Sequence, residues 1–352
     1  MSVSNSSRWT GYNKELLLSL QQKILEKVET FFNKKQQFVT LEQSYVTIKP
    51  GIAINTIQCT PSNHDASKAP VIFLHGYGAG IPLYAPNMAG IALKTKRKCY
   101  GMDWLGMAAS DRPEFTATDT SSALSYFTES FVKWKSKLSL GKTDVIAHSL
   151  GAYIAARHFT ENEKEVRKLV MVSPVGVPHP PETDPNKPVP WLYKWARQRW
   201  ENGTTINGIL QFLGPASYAA VDWVIGKRYA GDRLMGITGL SENDETKNLA
   251  IDYMHQILSA PAAGEKALNL ILAPGAWAKE PLIDTMVGMK DTDVMFIYGD
   301  RDWMSFKGGE AVIEKMEYNR GLKVVEVIEG THKLYSDNTF EFNEKVSEFL
   351  EK

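Results

Sequence analysis

Ser149, His332 and an aspartate at position 302 or 300 are the residues whose types and order along this chain could perform nucleophilic catalysis. A serine hydroxyl becomes a strong nucleophile when a histidine accepts its proton and a carboxylate orients that histidine. The chain order serine, aspartate, histidine is one of those in which such a triad occurs. The predicted chemistry is acyl transfer through a covalent acyl-serine intermediate.

Ser149 lies in a segment that predicts a strand, a sharp turn and a helix, residues 142–156 with the sequence K-T-D-V-I-A-H-S-L-G-A-Y-I-A-A. A nucleophile at such a turn has a strained backbone and needs small residues two positions away on each side. Ala147 and Gly151 are those residues, although glycine is the usual residue at the first position. The segment therefore predicts Ser149 as the nucleophile.

A glycine-rich loop, H-G-Y-G-A-G at 75–80, follows an apolar segment that predicts a buried strand. Glycines allow backbone N–H groups to turn toward a substrate carbonyl. The predicted oxyanion hole consists of the N–H groups of Tyr77 and of Leu150, and loss of one such donor typically costs about 3 to 4 kcal/mol of transition-state stabilisation. Supporting roles in the loop and the turn are predicted for His75, Gly76, Gly78, His148 and Gly151.

Two later apolar segments end in polar loops, G-D-R-D at 299–302 and G-T-H at 330–332. Because the carboxyl ends of parallel strands meet at one edge of a sheet, these loops should lie near Ser149. His332 is the predicted general base and Asp302 the acid that orients it. Asp300 stays an alternative, because a sequence does not show where each side chain points. No metal site is predicted.

The pattern of apolar segments predicts an α/β fold, with a mostly parallel sheet of eight strands, helices on both faces and an inserted helical cap. The predicted strands lie at 38–48, 52–58, 70–74, 98–104, 144–147, 168–173, 292–298 and 322–328. The predicted parts are an N-terminal extension with an amphipathic helix at 1–35, the core at 36–176 and 286–352, and the cap at 177–285. A cap of this size implies a bulky apolar substrate.

Composition limits the classes of partner and compartment. The formal net charge is zero, from 40 basic and 40 acidic residues, so no nucleic-acid partner is expected. Cys59 and Cys99 lack the spacing of a metal site and favour a reducing compartment. No segment reads as a transmembrane helix or a signal peptide. The first 14 residues are rich in serine and carry Arg8 and Lys14 without an acid, which leaves mitochondrial targeting open beside a cytoplasmic location.

Two segments keep two interpretations each. The helix predicted at 15–32 has an apolar face that packs on the core or attaches to a lipid surface, made of Leu17, Leu20, Ile24, Val28 and Phe31. The segment 188–200, P-V-P-W-L-Y-K-W-A-R-Q-R-W, places tryptophans one helical turn apart among basic residues. That pattern is typical of a membrane interface, and the packing of a cap explains it equally well.

Seven short motifs together carry a resemblance to a known family. They are H-G-Y-G-A-G at 75–80, D-W-L-G-M-A-A-S-D-R-P at 103–113, A-H-S-L-G at 147–151, G-P-A at 214–216, G-A-W-A at 275–278, Y-G-D-R-D-W-M at 298–304 and H-K-L-Y-S-D at 332–337. As a set they resemble the α/β-hydrolase-fold subfamily that holds the α/β-hydrolase-domain proteins four and five, their plant relatives, the fungal lysophosphatidic acid acyltransferases and the cardiolipin-specific deacylases. The resemblance covers most of the chain.

The resemblance implies a serine-dependent glycerophospholipid acyl hydrolase of phospholipase, lysophospholipase or cardiolipin deacylase type, with no cofactor. An alternative is a lysophosphatidic acid acyltransferase with acyl-CoA as co-substrate. A third alternative is a non-catalytic lipase coactivator at lipid droplets, but the branch with that role has lost its serine, so Ser149 favours a catalytic branch. The implied partners are a glycerophospholipid or lysophospholipid and a membrane or lipid-droplet surface, to which the protein would bind peripherally; the oligomeric state is left open.

Asp337 also has two interpretations. The acyltransferase signature of the resembling family, a histidine followed five residues later by an aspartate, falls on His332 and Asp337. Asp337 also stands immediately before the helical pattern at 338–350, where an aspartate is typical of an N-cap.

Overall fold

A computed structural model of the chain describes residues 11–181, 191–228, 244–316 and 321–352. The first ten residues of the predicted targeting segment and residues 188–190 of the tryptophan-rich segment lie outside these ranges.

The described residues form one large sheet and one small hairpin. The strands are β1 (Val39–Lys49), β2 (Ile52–Pro61), β3 (Val71–Leu74), β4 (Cys99–Met102), β5 (Thr143–His148), β6 (Val166–Val172), β7 (Leu272–Ala273), β8 (Trp277–Ala278), β9 (Asp293–Gly299) and β10 (Lys323–Ile328). The large sheet has eight strands in the order β1-β2-β4-β3-β5-β6-β9-β10. β2 is antiparallel to both of its neighbours and every other pair is parallel. This confirms the predicted fold class, and all eight predicted strands are present.

Helices connect the strands and follow them along the chain. They are α1 (Lys14–Lys34), α2 (Ala85–Thr95), α3 (Thr120–Lys137), α4 (Leu150–Glu161), α5 (Trp191–Glu201), α6 (Ile206–Leu213), α7 (Ala216–Arg228), α8 (Asp244–Ser259), α9 (Leu268–Ile271), α10 (Leu282–Thr285), α11 (Lys307–Lys315), α12 (Leu334–Asp337) and α13 (Thr339–Glu351).

The sheet is buried on both faces, which explains why its central strands read as continuous apolar runs. Successive side chains of a strand point to opposite faces. Val71 and Phe73 of β3 pack with residues of α1, α2 and α13, whereas Ile72 and Leu74 pack with residues of α3, α4, α10 and α11. Two hydrophobic cores therefore fix the central strands, and the loops at their carboxyl ends project from a rigid base.

Helix α1 packs against the rest of the protein. It begins after Asn13, whose side chain accepts a hydrogen bond from the N–H of Leu16 at 2.9 Å, and it contacts α2, β1 and α8. Its predicted apolar face is buried, except that Phe31 is half-buried and Phe32 takes the buried place. Of the two interpretations of this helix, the structure shows the packing one for the described residues.

The region 177–285 contains helices α5 to α10 and the β7–β8 hairpin. The sequence predicted no strands here, because two-residue strands are too short to show as apolar runs. The hairpin contains two residues of the G-A-W-A motif, and Leu272 and Ala273 pair with Ala278 and Trp277. Among the described helices, none combines the length and the apolar character needed to cross a bilayer.

Candidate active site

Ser149 lies at a strained turn between β5 and α4. Its backbone has φ 52° and ψ −118°, a conformation that a residue with a side chain rarely adopts. Its N–H donates to the carbonyl of Val172 at 2.9 Å, and its own carbonyl accepts from the N–H of Tyr153 at 3.1 Å. Strand β6 on one side and helix α4 on the other thus hold the strained residue in place.

The two small neighbours of Ser149 have different reasons to be small. A Cβ atom at Gly151 would lie 2.3 Å from the carbonyl oxygen of His75, so the approach of the two backbones requires glycine. Ala147 is fully buried, and its methyl group forms part of the hydrophobic core. The core therefore accommodates the alanine that stands where glycine is usual.

His332 and Asp302 form a hydrogen-bonded chain with the serine. Nε2 of His332 lies 3.0 Å from Oγ of Ser149, and Nδ1 of His332 lies 3.0 Å from Oδ1 of Asp302. The Asp302 side chain is fully buried, and Oδ1 also accepts from the N–H of Met304 at 2.9 Å. Because a carboxylate only accepts, Nδ1 of His332 carries the proton and Nε2 is free to accept the serine proton.

Asp300, the alternative acid, has a different partner. Its Oδ1 accepts from the N–H of Gly330 at 2.8 Å, and this hydrogen bond lowers the pKa of the Asp300 carboxyl. The side chain is exposed. Asp300 therefore joins the loop after β9 to the loop that carries His332, while the geometry gives the orienting position to Asp302.

His148 holds the backbone of His332. Its Nε2 lies 2.9 Å from the carbonyl oxygen of His332, and because a carbonyl only accepts, Nε2 carries the proton. Burial lowers the pKa of His148 well below its ordinary value, and the neighbouring His332 and Lys333 act in the same direction. His148 is therefore a neutral donor at neutral pH. The sequence predicted a supporting role for it, but not this bond to the base.

The glycine-rich loop lies against the nucleophile turn. A Cβ atom at Gly76 would lie 2.8 Å from Nδ1 of His148 and 2.9 Å from Cβ of Ser149. Within the loop, Nδ1 of His75 donates to the carbonyl of Gly76 at 2.8 Å, and Nε2 of His75 accepts from the N–H of Trp104 at 3.1 Å. Burial lowers the pKa of His75 and favours this neutral state.

The two predicted oxyanion donors line one cavity with the serine. Leu150 is the first residue of α4, so its N–H has no carbonyl partner within the helix. Tyr77 and Gly78 line the same cavity. The three residues therefore share one cavity, and the role of the two N–H groups as oxyanion donors stays a prediction.

Asp103 stabilises the end of the glycine-rich loop at 75–80. It was not singled out as a functional residue from the sequence. It is fully buried, and its Oδ1 accepts from the N–H of Ile81 at 2.8 Å. Its Oδ2 accepts from Nδ2 of Asn55 at 2.8 Å and from the N–H of Ala109 at 3.0 Å. The available signal was an aspartate directly after an apolar strand, at the start of the D-W-L-G motif.

The cavity has a volume of about 570 Å³ and is mostly apolar. Helices α5 to α9 and strand β7 contribute apolar side chains that sequence reasoning did not identify, among them Trp200, Leu210, Val221, Met254, Leu258 and Leu268. The remaining wall includes Ser149, His148, His332 and Lys333. Trp303 lines the cavity too; it is 60% exposed, and its ring centroid lies 5.2 Å from that of His332.

Asp337 hydrogen-bonds to Thr331, the residue before His332. Its Oδ2 accepts from the N–H of Thr331 at 2.7 Å and also from the Thr331 hydroxyl. The prediction of Asp337 as the N-cap of the last helix is wrong by one residue, because the short helix α12 ends at Asp337 and Asn338 caps α13 through the N–H of Glu341. Asp337 lies near His332 in the fold as well as in the sequence.

Comparison with known proteins agrees with the fold and with the motifs. Residues 69–212 match the family model described as "alpha/beta hydrolase fold". A 1-acylglycerol-3-phosphate O-acyltransferase of Arabidopsis thaliana is 28% identical over 97% of this chain and 82% of its own length. The human 1-acylglycerol-3-phosphate O-acyltransferase ABHD5 is 28% identical over 89% of this chain and 85% of its own length. These similarities confirm the resemblance predicted from the motifs.

Solved structures support the fold alone, because their sequence identities are low. The bromoperoxidase of Bacillus anthracis superposes with a TM-score of 0.60 at 18% identity, covering 88% of this chain and 100% of that one. A bacterial membrane phospholipase A superposes with a TM-score of 0.61 at 13% identity, covering 96% of this chain and 91% of that one. The chain has the α/β-hydrolase fold, and the fold together with the names of the relatives supports an enzyme.

Proposed function

We propose that this protein transfers acyl groups of glycerophospholipids through a covalent ester on Ser149, with hydrolysis as the basic reaction. The observation that carries the proposal is the hydrogen-bonded chain from Ser149 through His332 to Asp302, located in the wall of a mostly apolar cavity of about 570 Å³. A cavity of this size and character suits an acyl chain. The three residues supply what ester cleavage needs without a metal or other cofactor.

The proposed reaction begins when Nε2 of His332 takes the hydroxyl proton of Ser149 and Oγ bonds to the ester carbonyl carbon. The N–H groups of Tyr77 and Leu150 stabilise the resulting oxyanion. The C–O bond then breaks, and the alcohol leaves with the proton from His332. Asp302 keeps Nδ1 protonated throughout and stabilises the imidazolium.

The second half-reaction determines whether the protein is a hydrolase or an acyltransferase. If water attacks the acyl-serine, with His332 as base, a fatty acid is released. If the hydroxyl of a lysophospholipid attacks instead, a new phospholipid forms. The printed names of the relatives, 1-acylglycerol-3-phosphate O-acyltransferase, favour this second candidate, with acyl-CoA as the donor that first acylates Ser149.

The surface of region 177–285 supports peripheral attachment to a membrane or lipid droplet. Four apolar side chains of helix α6 are exposed: Ile206, Ile209, Phe212 and Leu213. On the neighbouring helix α5, Trp191 and Trp195 are exposed along with Lys194, Arg197 and Arg199. Apolar and tryptophan side chains with nearby cations suit the interface of an anionic lipid surface.

The test is turnover by the purified protein and its Ser149→Ala variant. Phospholipids and lysophospholipids are supplied with and without acyl-CoA, and products are read by mass spectrometry. Loss of the nucleophile should lower turnover by about 10⁴-fold or more. Reacylated product that requires acyl-CoA would assign acyl transfer, and fatty acid release would assign hydrolysis.

Labelling by a fluorophosphonate probe is the companion measurement. The wild-type protein should label at Ser149, and the variant should not. Absence of both turnover and labelling in a folded, lipid-bound wild-type protein would contradict the proposal and favour the non-catalytic alternative.

A further inference from the structure

A buried chain of polar side chains connects the N-terminal helix α1 to the loop that carries a predicted oxyanion donor. Gln21 of α1, Asn55 of β2 and Asp103 after β4 are each fully buried and hydrogen-bonded in series. We propose that Gln21 is a positioning residue, which acts through Asn55 and Asp103 to hold the N–H of Tyr77 where the oxyanion forms. This inference rests on the proposed acyl transfer and adds to it a residue that lies outside the seven motifs.

The hydrogen bonds run without a gap from the helix to the loop. Gln21 and Asn55 exchange two hydrogen bonds between their side-chain amides, each of 3.1 Å. Nδ2 of Asn55 also donates to Oδ2 of Asp103 at 2.8 Å, and Oδ1 of Asp103 accepts from the N–H of Ile81 at 2.8 Å. Ile81 directly follows the glycine-rich loop at 75–80 and begins a short helical turn, Ile81–Tyr84, which α1 also contacts.

Both ends of the glycine-rich loop are fixed by two consecutive residues at the end of β4. At the start of the loop, His75 accepts from the N–H of Trp104, and after its end Ile81 donates to Asp103. Tyr77 lies between these two points in the chain, so a shift of Asp103 would move the backbone of Tyr77 relative to the nucleophile. Stabilisation of an oxyanion depends on the distance to its donors, so such a shift would slow the reaction.

Gln21 helps to determine which end of the Asn55 amide faces Asp103. A carboxylate only accepts, so Asn55 must present its NH₂ group to Asp103. Nε2 of Gln21 donates to Oδ1 of Asn55, and Nε2 of Gln43 donates to the same oxygen at 3.2 Å. If the amide turned over, its oxygen would face the carboxylate, and both glutamine donors would lose their acceptor.

Packing alone does not account for a glutamine at this position. The buried face of α1 is otherwise apolar, with Leu17, Ile24 and Leu25 around Gln21. A buried amide is unfavourable unless it is hydrogen-bonded, and an apolar residue would simply continue this face. A buried polar network with all its hydrogen bonds made specifies one arrangement of the segments that it joins. Here it joins α1 and β2, which precede the residues 69–212 matched by the family model, to the loop at 75–80.

The test is Gln21→Met, measured on a soluble short-chain ester. Methionine has a similar length but makes no amide hydrogen bonds. Complete loss of an oxyanion donor costs about 10²- to 10³-fold in kcat, so a displaced donor should cost less, about tenfold. KM should stay within about twofold, because the affected interaction forms only in the transition state. Gln22→Met is the matched control, since Gln22 is exposed and its side chain donates to Glu26 of the same helix. It should leave kcat unchanged.

Leu20→Ala separates positioning from a loss of stability. Leu20 precedes Gln21, is 5% exposed and belongs to the hydrophobic core that α1 shares with α8. This variant should lower the thermal unfolding temperature at least as much as Gln21→Met does. Its kcat should stay within about twofold, because Leu20 shares no partner with the polar network. Equal losses of kcat in Leu20→Ala and Gln21→Met would overturn the inference.

Gln43→Met carries the test if Gln21→Met does not fold. Gln43 is half-buried on β1, and its side chain donates to the same oxygen of Asn55. Because Gln21 remains in this variant, kcat should fall by less, about threefold. An unchanged kcat in Gln43→Met would then overturn the inference.

Hydrogen exchange of the backbone amides at 75–84 separates this inference from the proposed reaction. Exchange there should be faster in Gln21→Met than in Gln22→Met, while exchange in the central strand β5 should be equal. If the exchange responds but the wild-type protein turns over neither ester nor lipid, the reaction is wrong and the link between α1 and the loop stands. If wild-type turnover is normal but kcat does not respond to Gln21→Met, with or without faster exchange, the positioning role is overturned and the reaction stands.

Discussion

The edge of the sheet and the region 177–285 build the two sides of one cavity in opposite ways. At the sheet edge, polar side chains are held by buried hydrogen bonds, as for Asp302 with His332 and for Asp103 with the backbone of Ile81. The described residues of 177–285 give the cavity apolar side chains and leave large ones exposed, with Trp191 at 77% and Phe212 at 91%. In the proposed function, the difference teaches that the sheet edge supplies the reacting groups, while region 177–285 supplies the apolar space for an acyl chain and the surface proposed to meet the lipid.

The largest predicted effect distinguishes the two aspartates in the loop after β9, at the sheet edge. Asp302→Asn should lower kcat on a soluble ester by about 10³- to 10⁴-fold, because the amide favours the wrong tautomer of His332. Asp300→Asn is the matched change in the same loop and should stay within about tenfold, since Asp300 binds the N–H of Gly330. Thermal unfolding of both variants checks that each is folded. A larger loss of kcat in Asp300→Asn than in Asp302→Asn would show that Asp302 is not the acid that orients His332.

A second prediction concerns the exposed apolar side chains of α6. The double variant Ile209→Glu with Phe212→Glu should lower turnover of lipid in anionic vesicles by about tenfold or more, because less apolar surface enters the interface. Neither residue lines the cavity, so turnover of a soluble short-chain ester should be unchanged.

Phe340→Glu supplies the control for that comparison. Phe340 lies on α13 of the core and is 73% exposed, so this variant removes one exposed phenylalanine from the other region, the counterpart of Phe212 in the double variant. Vesicle turnover should not respond to this variant. An equal loss for α6 and α13 variants would mean that region 177–285 has no special part in lipid contact.

The smallest predicted effect is a dependence of stability on pH that comes from buried histidines. Burial lowers the pKa of His75, His148, His158 and His255 below the ordinary value of 6.5. The unfolded chain therefore binds more protons, and stability falls as the pH drops through about 6.5. Each such histidine contributes a slope of up to about 1.4 kcal/mol per pH unit. Carboxyl groups with lowered pKa values act only below about pH 4.

Urea unfolding between pH 5 and 7.5 measures this slope. The His148→Gln variant shows how much of the slope comes from His148. Glutamine can keep a donor for the carbonyl of His332 but does not titrate. The slope should therefore decrease by the contribution of one histidine, up to about 1.4 kcal/mol per pH unit. An unchanged slope would show that His148 binds its proton equally well in the folded and the unfolded protein, which would contradict a lowered pKa in the folded state.

The sequence predicted the sheet and the nucleophile well because both depend on local patterns. Continuous apolar runs identify strands that are buried on two faces, and A-H-S-L-G carries its own steric requirements at Gly151. Asp302 was the predicted acid, but Asp300 stayed an alternative, since both lie in one loop and only the direction of the side chain separates them. The cap of α13 was misplaced by one residue because a four-residue helix, α12, precedes it without a pattern of its own.

The cavity wall was the least predictable part. Trp200, Leu210 and Met254 lie on three different helices, and nothing in their sequence positions indicates that they face one space. Contacts between distant segments decide such features, and a single sequence contains no direct record of them.

The serine and the histidine are carried by strands of unequal burial. β5, which leads to Ser149, is central and buried at every residue, whereas β10, which leads to His332, is the edge strand and is half-buried over most of its length. Edge elements take part in subglobal openings of lower free energy than the core. We therefore expect the base to leave the nucleophile before the central sheet unfolds. Inactivation by mild denaturant should then be local, and it should reverse when β10 packs against β9 again.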